Sequence, residues 1–129
     1  MSAPNLVKFT PSMLNVLAGQ HGIILPFDRD IFIIEIHVAG TSHRDDIDKI
    51  EPLLKPGQMY RMVREPANKF DKFAIEIFFE DYKLGYVPAA QNEIVARLMD
   101  AGKMFFCKLI QKEWRGSWLK LETEIYMKD

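Results

Sequence analysis

Apolar and polar positions alternate through 73-FAIEIFFE-80, where Phe73, Ile75, Ile77 and Phe79 oppose Ala74, Glu76 and Phe78. Period-two alternation is the mark of a strand with one face on a core. Strands are also predicted over 58–65 (QMYRMVRE), 83–88 (KLGYVP), 104–114 (MFFCKLIQKEW) and 117–128 (SWLKLETEIYMK). The Ile-rich run 31–39 reads as a central strand. Turn chemistry at Lys55-Pro56-Gly57, Asp81-Tyr82 and Arg115-Gly116 connects these runs, mostly as hairpins.

Helical spacing occurs in three places. Ile94, Val95, Leu98 and Met99 share a face within 90–103, with Pro88 just before and Gly102 closing the helix. Ile47, Ile50, Leu53 and Leu54 are interrupted by Pro52, which predicts one or two short turns. Thr10 as cap, Pro11 at the first helical position and Met13, Leu14, Val16 and Leu17 predict an N-terminal helix. Residues 1–30 are read as an extension that packs on a domain over 31–127.

The order is strand, short helix, three strands, helix, two strands. A parallel sheet would need crossover helices between most strands, and they are missing. The predicted fold is mainly β with minor α: a compact, six-stranded, barrel-type antiparallel sheet with one packed helix and an N-terminal helical extension. Trp114 and Trp118, flanking the last turn, are read as a hairpin pair that covers the core.

Composition narrows the function. The chain has 129 residues, 48% apolar and 27% charged, enough for one self-sufficient core. Net charge is −1 and the pI is near 6.3, so any nucleic-acid site must be a local patch. A single cysteine, Cys107 in MFFCKLI, excludes an internal disulfide and a cysteine-rich zinc site, and reads as a buried hydrophobe. No stretch resembles a signal peptide or a membrane span. A soluble, cytoplasmic protein without membrane or small-molecule partner is expected.

Enzyme motifs are absent: no phosphate-cradling loop, no dinucleotide fingerprint, no Gly-x-Ser-x-Gly. His21, His37 and His43 lack metal spacing, and Asp45, Asp46 and Asp48 read as a solvated turn. No catalytic residue, cofactor or metal is assigned. Two polar loops remain, 40-GTSHR-44 and 64-REPANKFD-71. They offer flat or cationic groups in His43, Arg44, Arg64, Lys69 and Phe70, the kind that stack bases and follow phosphates. A carboxylate there repels phosphate unless it meets a donor such as a free sugar hydroxyl. The plainer alternative is that Asn68 and Asp71 cap a turn and Phe70 plugs the core edge.

VAGTSH (38–43), IEPLLKPG (50–57), VREPANKFDKFAIEI (63–77) and KLGYVPAAQNEIVARLMDAGK (83–103) together resemble the HIRAN domain, over about residues 31 to 127. The resemblance implies a compact barrel-like sheet related to OB and SH3-like folds. It also implies binding of single-stranded DNA at its 3′ end, in DNA repair or replication. Carried over, Asp71 accepts from the terminal hydroxyl, while Phe70 and His43 stack the terminal bases. Phe70 stands where Tyr is usual, His43 where DNA-binding members can have Tyr, Ser42 where an Arg is, Tyr86 where a DNA-contacting His is, and Ala89 where a phosphate-holding Lys is. Arg44 and Lys69 are candidate replacements. Gly40 would end the first strand, and Gly85 would let two backbones approach. Ala74, Ile75, Leu84, Leu98 and Ile125 read as core. The rival reading is a protein-interaction module that uses the same groove, or the 1–30 extension, to hold a protein partner.

Overall fold

The structure is a computed structural model that describes residues 29–128. The expected helix after Thr10 and the rest of the 1–28 segment lie outside the described residues. Six strands form: β1 (Asp30–His37), β2 (Met59–Arg64), β3 (Ile75–Phe79), β4 (Tyr82–Tyr86), β5 (Phe105–Arg115) and β6 (Trp118–Lys128). They make one antiparallel sheet in the order β1-β6-β5-β2-β3-β4. Short helix α1 (Ile47–Ile50) continues as a 3₁₀ turn (Glu51–Leu53) at Pro52, as the interrupted spacing predicts, and α2 (Glu93–Asp100) lies between β4 and β5.

The sheet has an inner and an outer face. Ile36, Ile125, Cys107, Tyr60 and Ile77 bury their side chains inward, where Ile47 and Ile50 of α1 and Val95 and Ala96 of α2 complete the core. Ala74, Ile75, Leu84 and Ile125 are buried as expected, and Leu98 packs partly against them. Gly102 closes α2 with φ 99°, while the Gly102 and Lys103 amides bond the Met99 and Leu98 carbonyls.

Four expectations are corrected. First, the Ile-rich strand is not central: among the described residues β1 is an edge and pairs only with β6. A bulge at Ile33 breaks its alternation, so Ile31, Ile33 and Ile34 are only partly buried and Ile36 alone within the strand is fully so. Second, the barrel is not closed. The two edges meet at one bridge, where Ala39 and Tyr86 exchange two backbone hydrogen bonds of 2.8 Å. Gly40, with φ 81°, turns the chain away directly afterwards, and β4 ends at Tyr86, so no further pair forms. Third, Ile94 is 67% exposed; Ala96 takes its place on the buried face of α2. Fourth, the tryptophans are not a pair: Trp114 shares the face of buried Leu119, Trp118 lies with Arg115 on the opposite face of the β5–β6 hairpin, and both stay more than a third exposed.

Gly85 is where the edges touch. A Cβ there would run into the Ala39 carbonyl oxygen and stand 2.8 Å from Val38 Cγ1. The bridge that sets the 40–44 turn beside β4 therefore requires glycine at this position.

Candidate functional site

The loop from Glu65 to Ala74 is built by its own polar side chains. The Asn68 amide N–H donates to the Glu65 carbonyl at 3.1 Å, a turn that Pro66 favours. The side-chain oxygen of Asn68 then accepts from the amides of Phe70 (2.8 Å) and Asp71 (3.0 Å). Asp71 repeats the device: its Oδ1 accepts from the Phe73 amide at 2.8 Å. Its Oδ2 accepts from the buried Asn92 side chain at 2.7 Å, which ties the loop to the start of α2.

This scaffold aims Phe70 outward. The ring is 97% exposed. Burying a phenylalanine stabilises a fold by roughly 1.5–3 kcal/mol, which this position forgoes. Phe73, three residues on, packs at the core edge instead, with Lys72 and Arg97 over its ring at 5.2 and 5.0 Å. The plainer sequence reading thus divides: Asn68 and Asp71 do cap the turn, and Phe70 does not plug the core.

Arg64 is committed to the scaffold. Its guanidinium donates to the Ala74 and Lys72 carbonyls at 2.6 and 3.0 Å and pairs with both carboxylate oxygens of Asp100 at 2.9 and 3.2 Å. That bidentate contact holds the Asp100 carboxyl below its ordinary value. Lys69 is exposed beside Phe70.

Tyr86 joins the two loops. Its backbone forms the bridge to Ala39, and its hydroxyl donates to Glu65 Oε1 at 2.7 Å and accepts from Lys83 Nζ at 2.6 Å. Glu65 also accepts from the Asn68 side chain at 3.0 Å. The Asn68 amide first, then the Tyr86 hydroxyl, hold the Glu65 carboxyl below its ordinary value. Burial pulls Lys83 down, but hydrogen bonds to Tyr86 and Glu76 outweigh it and leave the ammonium above its ordinary value.

The other loop is anchored by Thr41, which is fully buried and donates its hydroxyl to the Leu119 carbonyl at 2.7 Å. His43 is exposed at the end of the resulting 3₁₀ turn, Thr41–His43. Next to it, Arg44 Nε is buried without a hydrogen-bond partner among the described residues. His43 and Arg44 line a cleft of about 430 Å³ with Asp45, Asp46, Ile50, Asp81, Tyr82 and Lys83. The walls of that cleft do not include the 64–72 loop. The residues singled out from the sequence therefore fall into two groups, His43 with Arg44 and Asn68 to Asp71, with Tyr86 between them. Glu65, which lies within the polar loop singled out from the sequence, Lys83 and Asn92 complete the arrangement; Lys83 and Asn92, as single polar residues beside a strand or helix, carry no sequence signal that separates them from ordinary surface.

The HIRAN domain family model matches residues 31–128. This chain belongs to the HIRAN family. HIRAN is a binding domain rather than a catalytic family, built on a nucleic-acid-binding fold. Among solved structures, a protein from Lactobacillus plantarum superposes with a TM-score of 0.71 at 26% identity, covering 77% of this chain and 95% of that one. The HIRAN domain of human HLTF superposes with a TM-score of 0.58 over 78% of this chain and 81% of that one; at 16% identity the likeness is one of fold. Two curated relatives, transcription termination/antitermination proteins NusG from two strains of Xylella fastidiosa, are 33% and 32% identical over 82 residues, or 62% of this chain. The chain spans only 42% of their length. Among the described residues, no helix of this HIRAN chain is long and apolar enough to cross a membrane.

Proposed function

We propose that this HIRAN domain binds single-stranded DNA and holds its 3′ end at the 65–71 loop, in DNA repair or replication. The observation that carries the reading is a fully exposed Phe70 ring beside an Asp71 carboxylate fixed by two donors. Phe70 stacks the terminal base. Asp71, with each oxygen already holding one hydrogen bond, has lone pairs left for the terminal 3′-hydroxyl. An internal phosphodiester offers no such proton and brings negative charge, so the carboxylate selects ends. His43 stacks the neighbouring base, Lys69 and Arg44 serve the phosphates, and Tyr86 keeps the two loops in register. Arg64 and Asn68 act indirectly, by holding the loop.

Few cations remain available around the loop, so binding there is modest in strength and only weakly dependent on salt. The test is fluorescence polarisation of a labelled DNA oligonucleotide with the wild type, Phe70→Ala and Phe70→Trp. Alanine should weaken binding by roughly 1–3 kcal/mol and tryptophan should retain it. Equal affinity for all three contradicts the stacking role. The transcription names of the NusG relatives make single-stranded RNA the natural competitor to include.

One observation favours a protein partner instead: the Arg64 guanidinium, the strongest phosphate ligand in the loop, is already neutralised by Asp100. A stoichiometric protein complex that depends on Phe70, with no oligonucleotide shift at low salt, would support that alternative.

A further inference from the structure

One row of side chains crosses all six strands on the outer face of the sheet. Its Cα partners run Phe32 (β1), Tyr126 (β6), Phe106 (β5), Arg61 (β2), Phe78 (β3) and Lys83 (β4). Directly opposed residues of antiparallel strands share a face, so four rings and two cations stand in line. With strands about 4.8 Å apart, the row is roughly 24 Å long.

The groups in the row touch one another. Phe106 and Tyr126 stack at 5.4 Å between centroids, and Phe32 meets Tyr126 edge-on at 5.8 Å. The Arg61 guanidinium lies 4.8 Å from the Phe78 centroid. Lys128 and Lys108 lie 5.1 and 5.5 Å from the rings of Phe106 and Tyr126. The buried residues of α1 and α2 belong to the inner core, and among the described residues no helix covers this row. Phe32 is 52% exposed, and Met59, 66% exposed, lines a shallow groove of about 270 Å³ with Arg61, Phe106 and Lys128.

Charge on this face points to an occupant. Glu76 is engaged by Lys83 at 3.1 Å and Glu124 accepts from the Tyr126 hydroxyl at 2.7 Å, while Glu35 pairs in register with Glu124 at the β1 edge. The Lys128–Asp30 pair is long, 3.7 Å, and exposed, so its ammonium is exchangeable for phosphate. Arg61 thus stands within the row, and Lys108 and Lys128 flank it, one from each neighbouring row. The row ends on Lys83, whose Nζ bonds the Tyr86 hydroxyl, so it is continuous with the loop site.

We infer that this outer-face row is a track for the body of a single strand of nucleic acid whose end is held at the 65–71 loop. Bases lie along the exposed Phe32 and the half-buried Tyr126 and Phe78, with Phe106 buried as the floor between them, and phosphates lie over Arg61, Lys108 and Lys128. The inference rests on the nucleic-acid part of the function proposed above, and not on the role given to Asp71.

Polarisation with a trinucleotide and a decanucleotide, both with 3′-hydroxyl ends, tests the track. The decanucleotide should bind the wild-type chain about tenfold tighter or more. The double variant Arg61→Glu/Lys128→Glu should lose that gain and keep trinucleotide affinity, whereas Lys55→Glu, on a turn away from the row, should keep both. The Met59 methyl resonance should shift on adding the decanucleotide and not the trinucleotide. A double variant that binds the decanucleotide as the wild type does, or loses no more than Lys55→Glu, overturns the inference. Met59 shifts that follow protein concentration instead of oligonucleotide would assign the face to a second copy of the chain, and overturn it too. If 3′-hydroxyl and 3′-phosphate ends bind alike while the length gain still depends on Arg61 and Lys128, the end reading fails and the track stands. No binding of either oligonucleotide overturns both.

Discussion

The buried side chain of Asn92 donates to Asp71 Oδ2 at 2.7 Å, so the first residue before α2 fixes the carboxylate of a loop 21 positions upstream. Asp71 Oδ1 is held separately by the Phe73 amide. A carboxylate with two fixed donors keeps one orientation, which a loop side chain free to rotate would not. Asn92→Ala should cost about 1 kcal/mol of stability. It should also weaken discrimination between 3′-hydroxyl and 3′-phosphate ends without abolishing binding. Asn92→Asp, which sets a second carboxylate against Asp71, should do more harm on both counts. Thermal melts and end-labelled oligonucleotide titrations of the two variants check this.

Gly85→Ala tests the contact between the sheet edges. The added methyl meets the Ala39 carbonyl, which is backbone and cannot swing aside. Overpacking of this kind costs about 1–3 kcal/mol. The Ala39 and Tyr86 amides, each bonded across the bridge, should lose protection from hydrogen exchange more than the β5–β6 ladder does.

Much of the fold was legible in local pattern, because strands and turns declare themselves over a few residues. The β5–β6 hairpin around Arg115-Gly116, the Pro52 interruption and the Gly102 stop all follow from turn chemistry. What pairs with what was less legible. An Ile-rich strand reads as central, yet β1 sits at an edge, with β6 on one side and no described strand on the other. In the candidate site, Asn68 and Asp71 were readable as turn formers, since their side chains bond amides two or three residues away. The direction of Phe70 was not. Phe70 and Phe73 both follow a lysine in the same loop, and only the Asx turns decide which ring meets solvent. Arg64 looked like a free cation because Asp100, its partner, is 36 residues distant.

The Glu65 carboxyl carries a pH signature. Its folded value is depressed by hydrogen bonds from Asn68 and Tyr86, so the unfolded chain binds its proton more readily. The resulting stabilisation is complete above the ordinary glutamate value and disappears as pH falls through the lower folded value. Glu65→Gln should therefore flatten this part of the acid limb of a stability profile. In the wild type, amide shifts at Asn68 to Asp71 should move over the same acidic window, followed by NMR.

Cys107 should be inert in the native protein. Burial between Tyr60 and Ile125 pushes its thiol up to about 12, so almost no thiolate exists near neutrality. Alkylation by iodoacetamide should occur only with unfolding, and its rate should rise with denaturant.

Selection of a 3′ end depends on Asp71 recognising a free sugar hydroxyl. The most direct measurement compares the affinity of the wild type and Asp71→Ala for one DNA oligonucleotide ending in either a 3′-hydroxyl or a 3′-phosphate, at low salt. The wild type should favour the hydroxyl end by about 1–3 kcal/mol, and Asp71→Ala should bring the two ends close together. Equal wild-type affinity for both ends, or a preference that persists in Asp71→Ala, would contradict it.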